Sequence, residues 1–343
     1  HLERSCGSIR YVYKLASDRT RSGDGEDFAG GRDRDDVVCR AVRDRAVPPA
    51  LGVRLCPLLV PQQWHRDPSE AERAAGWLHR YDKTAAWLAA YGPTKLGVGE
   101  PTHGGEGTAY SKAMAGFWRV ADVPGTGPEG LPELQVREVE EGGYWLTTPS
   151  VELLRELYPA WTPRVLESWH WETSKAALSG MYKLMSTSRT RIVAAADEGR
   201  PGAKWAKQVN GRVYQSFRGY LARATGPQTD HATGGDYRQD IYYRPDWAAM
   251  LISHATANMY RNLVRFRADG HYPLSVYVDA VTLTSDQADP IAAKPDSMVI
   301  GNRGGNWTTE GSAPMTELLP LLEDRDNRHG AHSALDQFLN RGE

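Results

Sequence analysis

The chain has few cysteines, no long apolar run and almost no net charge, and each shortage excludes something. Its three cysteines (Cys6, Cys39 and Cys56) lie in the first 56 of 343 residues and lack metal-ligand spacing. That excludes a disulfide framework or a zinc site and reads as reduced thiols of a cytoplasmic protein. No apolar stretch approaches the roughly 20 residues of a membrane-crossing helix, and no signal peptide is recognisable. A formal charge of −2 gives no global pull toward nucleic acid, so any such binding must come from local patches. Internal repeats, a glycine-rich phosphate loop and Ser-His-Asp or Cys-His arrangements are also missing, and His170 and His254 read as structural. The length suits one large or two medium domains. Opening on His1 instead of Met, the sequence reads as a fragment.

What is present is organised around Tyr272–Asp286, a β-branched run with a proline near its start. As a single strand it would put Tyr277, Asp279, Val281 and Leu283 on one side, leaving Asp279 a mid-strand carboxylate among apolar neighbours. Such a charge must be exposed, paired or on a metal; an edge-strand aspartate facing water is the simplest alternative. A second aspartate, Asp82, ends the strand pattern 76–82 and precedes an alanine-rich helix pattern, 83–91, closed by Gly92-Pro93. At a strand-to-helix junction it would lie near free N–H groups, or simply cap the helix.

Residues 1–64 read as a weakly ordered segment, crowded with Arg, Asp and Gly. A helix start follows near Asp67, and strand patterns cover 116–120, 134–139, 143–147 and 165–171, with a Thr-capped helix over 148–158. Helices are predicted over 173–197, 203–222, 246–269 and 314–323, with a loop at 226–236 and a polar tail. Between Lys183 and Arg223 nine Lys or Arg face only Asp197 and Glu198, an excess that suits a polyanion or forms a solvated face.

Two strand-borne aspartates about 200 positions apart, with a basic helical hairpin between them, meet the needs of phosphoryl transfer: hard-oxygen ligands for divalent ions and cations for the pyrophosphate. Asp82-Lys-Thr-Ala-Ala-Trp-Leu, Lys207-Gln-Val-Asn-Gly-Arg-Val-Tyr214 and Val276-Tyr-Val-Asp-Ala280, in that order, resemble the three palm and fingers motifs of family B DNA polymerases. The resemblance runs over residues 76–312 and is nearest the protein-primed type; the chain also resembles actinobacterial telomere-associated proteins of linear replicons.

The resemblance implies an α/β (α+β) palm with an antiparallel sheet and a helical fingers insertion. Its parts would be a first palm section at 65–171, the fingers-like hairpin at 172–235, a second palm section at 236–312 and a C-terminal helix and tail at 313–343. It implies Asp82 and Asp279 as ligands of Mg²⁺ (or Mn²⁺), with Lys207 completing the catalytic set. Trp87, Arg189, Arg191, Lys204, Lys207 and Tyr214 would bind the nucleotide. The implied partners are DNA, deoxynucleoside triphosphates and a terminal protein, with no membrane. The sequence departs from the family at Tyr277, where an aspartate is expected, at Gly211-Arg212 in place of Asn-Ser, and near Trp307-Thr308, which lacks a lysine. No exonuclease-like sequence precedes residue 76. The departures favour an inactive palm serving as a DNA- or protein-binding scaffold as the alternative to a polymerase; the start without Met and the odd composition of residues 19–60 suggest, as a third reading, an incomplete or damaged coding segment.

Overall fold

The computed structural model describes residues 59–221, 244–323 and 330–340. The predicted loop at 226–236 and most of the N-terminal segment fall outside them. In chain order the elements are β1 (Gln63–His65), α1 (Glu70–Ala74), β2 (Trp77–Lys83), α2 (Ala86–Tyr91), β3 (Leu96–Gly97), β4 (Thr102–Gly104) and β5 (Ala115–Val120). Then come β6 (Tyr144–Thr147), α3 (Thr148–Leu157), β7 (Val165–Trp171), β8 (Ser174–Lys175), α4 (Ser179–Asp197), α5 (Ala203–Leu221) and α6 (Pro245–Ala268). The last are β9 (Ser275–Tyr277), β10 (Ala280–Ser285), α7 (Pro290–Ala293), β11 (Trp307–Pro314), α8 (Met315–Leu322) and α9 (Gly330–Asn340). This is a mixed α/β chain whose named strand pairs are all antiparallel.

Two compact units interleave along the sequence. One takes Trp87–Pro124 and Val136–Ala255; the other takes Val60–Ala86, Gly125–Gln135 and the chain from Thr256 onward. In the first, strands run β4-β7-β5-β6, with β3 and β8 as a separate pair. Phe117, Trp118 and Trp171 are fully buried there, and Trp118 donates its indole N–H to Thr148 Oγ1 at 2.9 Å. α3 starts where Thr147 Oγ1 accepts the Ser150 N–H, with Pro149 in the first turn, where its missing N–H costs nothing. Gly97 lies so close to Trp171 that a Cβ would fall inside the indole, and its carbonyl accepts from Arg244 at 2.9 Å and Trp247 at 2.8 Å. Arg244 also pairs with Asp246 at 2.6 Å, both buried, an arrangement that excludes unpaired charge from this interior.

The second unit is a five-stranded sheet in the order β1-β9-β10-β2-β11. Ser69 and Glu72 form a reciprocal capping box at the start of α1. Leu78, on one face of β2, packs in a core with Leu274, Ala313, Met315, Leu318 and, from α9, Ala331, Ala334 and Leu335. Arg80, on the same face, pairs with Asp336 of α9 and with Glu310 at 3.2 Å.

Three local expectations change. The segment 134–139 is not a strand: the chain passes between units at Gln135/Val136, so Leu134 buries in one while Glu138 bridges Tyr144 in the other. Gln63–His65, expected to be weakly ordered, is a strand at the sheet edge, because Trp64 pairs with Val276. The polar tail contains α9, whose Ala331, Ala334 and Leu335 recur at helical spacing and are buried.

Candidate functional site

Asp82 is the penultimate residue of β2, the strand flanked by β10 and β11. In the antiparallel register Ala280 stands opposite Asp82, and the Lys83 N–H donates to the Asp279 carbonyl at 2.9 Å. Two aspartates remote in sequence are thus carried at the same end of two hydrogen-bonded strands. Both are half-buried.

The run 272–286 is not one strand. Tyr277 pairs with Ala280, so Val278 and Asp279 form a two-residue hairpin connection between β9 and β10. Val278 has φ 58°, positive at the first central position as a type II′ turn requires. Asp279 therefore sits at a hairpin tip, not at mid-strand, and the alternation expected to put it beside Tyr277 does not hold. Instead, Gln63, Tyr277, Ala280, Asp82 and Thr308 form one cross-strand row, so Tyr277 shares a face with Asp82, across the small Ala280. Its ring stacks on His332 of α9, centroids 4.4 Å apart and 11° from parallel.

Asp82 also differs from its expected place at a helix start. β2 continues through Lys83, and Thr84-Ala85 turns, with Ala85 at φ 49°, before α2 begins. The reason is hydrogen bonding: the N–H groups of Lys83 and Thr84 are taken by the carbonyls of Asp279 and Asn306, at 2.9 and 2.8 Å. Strand partners hold donors that a helix start would have left open.

Lys83 points to the opposite face from Asp82 and is buried, its ammonium 5.5 Å from the Trp307 ring centroid. Burial pushes its pKa down to about 8, the Arg265 guanidinium adds to the shift, and the Asp279 carboxylate opposes it. A protein cation is therefore already close to Asp279. His79, on the Lys83 face, is fully buried between Ser312 Oγ (2.7 Å) and the Gln287 carbonyl (2.8 Å), and burial lowers its pKa.

Among the described residues no group of three or more His, Cys, Asp or Glu could hold a metal ion. The donors at this end of the sheet are two carboxylates. That set suits Mg²⁺, which keeps its waters and is held by one or two carboxylates plus substrate phosphates, better than an ion needing a full protein cage. Asp82 and Asp279 are the residues that would hold it.

The remaining predicted residues belong to the other unit. Lys207 and Tyr214 are seven apart on α5 and so share a stripe, but Lys207 is exposed and Tyr214 is 5% exposed. Tyr91 of α2 donates its hydroxyl to the Tyr214 carbonyl at 2.7 Å and meets Phe217 edge-on at 6.0 Å. Trp87, on α2, is likewise buried. Lys204 is exposed beside Lys207. Arg189 and Arg191, two positions apart on α4, point to different sides: Arg191 is exposed, while Arg189 is half-buried with Nε lacking a hydrogen-bond partner among the described residues. Sequence reasoning missed Lys83, whose signal was its place next to Asp82, and Trp205, which interrupts the polar face of α5.

No protein-family model and no curated protein matches the chain. Among solved structures it is similar to Phi29 DNA polymerase complexed with primer-template DNA and incoming nucleotide substrates, at 13% identity and a TM-score of 0.49, over 81% of this chain and 52% of that one. It is similar to the same polymerase in its post-translocation binary complex with primer-template DNA, at 15% identity and a TM-score of 0.43. With single-stranded DNA the values are 14% and 0.40, again over 81% of this chain and 52% of that one. The chain spans about half the length of the solved polymerase it matches.

Proposed function

We propose that this chain is a divergent family B-like DNA polymerase domain that transfers nucleotides to DNA with two divalent ions. The observation that carries the reading is the β2–β10 register, which brings Asp82 and Asp279 to one end of adjacent strands. When bound, Mg²⁺ would neutralise charge developing on the transferred phosphoryl group. Asp82 and Asp279 bind and orient; the exposed Lys204 and Lys207, with Arg191 and Arg189, attract and grip the triphosphate. Trp87 and Tyr214 shape the floor of the nucleotide site from within. Action at the ends of linear replicons, with a terminal protein as partner, belongs to the same proposal.

A second reading is supported by two observations: Tyr277, where the family carries an aspartate, is engaged with His332, and Lys83 brings its own positive charge close to Asp279. On that reading the palm is inactive and serves as a DNA- or protein-binding scaffold. The experiment is nucleotide incorporation on a primed template with and without Mg²⁺, comparing the parent with Asp82→Ala and Asp279→Ala. The proposal expects each variant to lose at least about a hundredfold in rate while melting as a folded protein. Undiminished incorporation by either variant sinks it. A parent that binds DNA but incorporates nothing leaves the scaffold.

A further inference from the structure

The exposed side of α5 carries a feature the phosphate-binding role does not use. Trp205 is 69% exposed, and among the described residues no other tryptophan is classed as exposed. Val209, one turn on, is also exposed, so the two form a short apolar strip. Beside that strip Lys204, Gln208 and Arg212 recur at four-residue steps, and all three are exposed. The inner side of the helix is made by Ala203, Asn210, Tyr214 and Phe217, which are buried. The helix contains no Asp or Glu, and the Glu198 carboxylate in the preceding turn is taken up by Arg200 at 2.7 Å.

A solvated helix needs cations but not an indole, since leaving so large an apolar surface in water forfeits its burial. A protein partner would favour a broader apolar patch with charge excluded from its centre, whereas here a single ring is flanked by cations. A flat aromatic ring beside Lys and Arg suits a polyanion that also offers π-faces. In a duplex those faces are stacked and out of reach; in a single strand they are open.

We propose that the outer face of α5 is a single-strand nucleic-acid platform, on which Trp205 stacks an unpaired base while Lys204 and Arg212 hold the flanking phosphates. This deepens the DNA-binding part of the proposed function and needs neither the metal nor catalysis, so the test is done without Mg²⁺. Affinities are measured for oligothymidylate, oligouridylate and a duplex of matched length, using the parent, Trp205→Ala and Trp205→Phe. Loss of one stacked base should weaken single-strand binding by roughly 5- to 150-fold in Trp205→Ala. Phe should restore most of it, duplex affinity should stay within about twofold of the parent, and the slope of log affinity against log salt should not change, because no phosphate contact is removed. The two single-stranded arms show whether DNA or RNA is held. Equal single-strand affinity for parent and Trp205→Ala overturns the platform, as does an equal loss on duplex. Either result leaves the nucleotide-incorporation test standing.

Discussion

At the residue scale the buried groups near the sheet give a sharp expectation for pH. His79 is held between Ser312 and Gln287, and burial disfavours its charged form. The folded protein therefore prefers the neutral ring, while the unfolded chain takes up a proton near pH 6.5. Stability from this group is complete above that value and is lost as pH falls below it, toward the lowered folded value. His79→Gln can keep hydrogen bonds on both sides without titrating. In urea melts, the parent should lose stability relative to this variant between about pH 7.5 and pH 5. Parallel losses would mean that His79 titrates alike in the folded and unfolded states. Lys83 shows how strand faces separate function: one step along β2 from Asp82, it turns to Trp307 and the interior, while Asp82 shares the Tyr277 face.

At the element scale, α5 is the part whose chemistry rests on charge. Reversing Lys204, Lys207 and Arg212 together should reduce the salt slope of DNA binding by about two to three units, since each phosphate contact releases close to one counterion. An unchanged slope would make the helix a solvated face. Much at this scale was legible. β2, α3, α6 and α8 follow from alternation, a Thr cap and four-residue apolar spacing, signals that local physics sets. The β9–β10 hairpin was not legible, because Val278 occupies a positive-φ position that Gly or Asn normally marks, and the β-branched run reads through it. The pairing of Asp82 with the Asp279 strand could be expected only through the resemblance; the end of β2 at Lys83 depends on carbonyls of Asp279 and Asn306 that no local pattern reveals. Trp205 carries only a weak sequence signal, its angular offset from Ala203, Asn210 and Tyr214, which marks it as outward-facing amid a run of cations.

At the scale of the whole molecule, the net charge of −2 hides a segregation of sign, with the acid-free α5 in a chain that is otherwise nearly balanced. The interleaving of the two units has a further consequence, for biosynthesis. β2 leaves the ribosome well before its neighbours, β10 and β11, which lie about 200 or more positions downstream. At the usual 5–20 residues per second, a strand with buried Leu78 and Tyr81 waits roughly 10–40 s for its partners. Ribosome-bound chains halted at successive lengths should stay open to protease near Trp77–Lys83 until Pro314 has left the exit tunnel, and become resistant only then. Protection of β2 in shorter chains would mean that another segment shelters it. Until β10 and β11 arrive, the newborn chain offers the edges of β2 to any neighbour, so its yield in a cell depends on how well that interval is chaperoned.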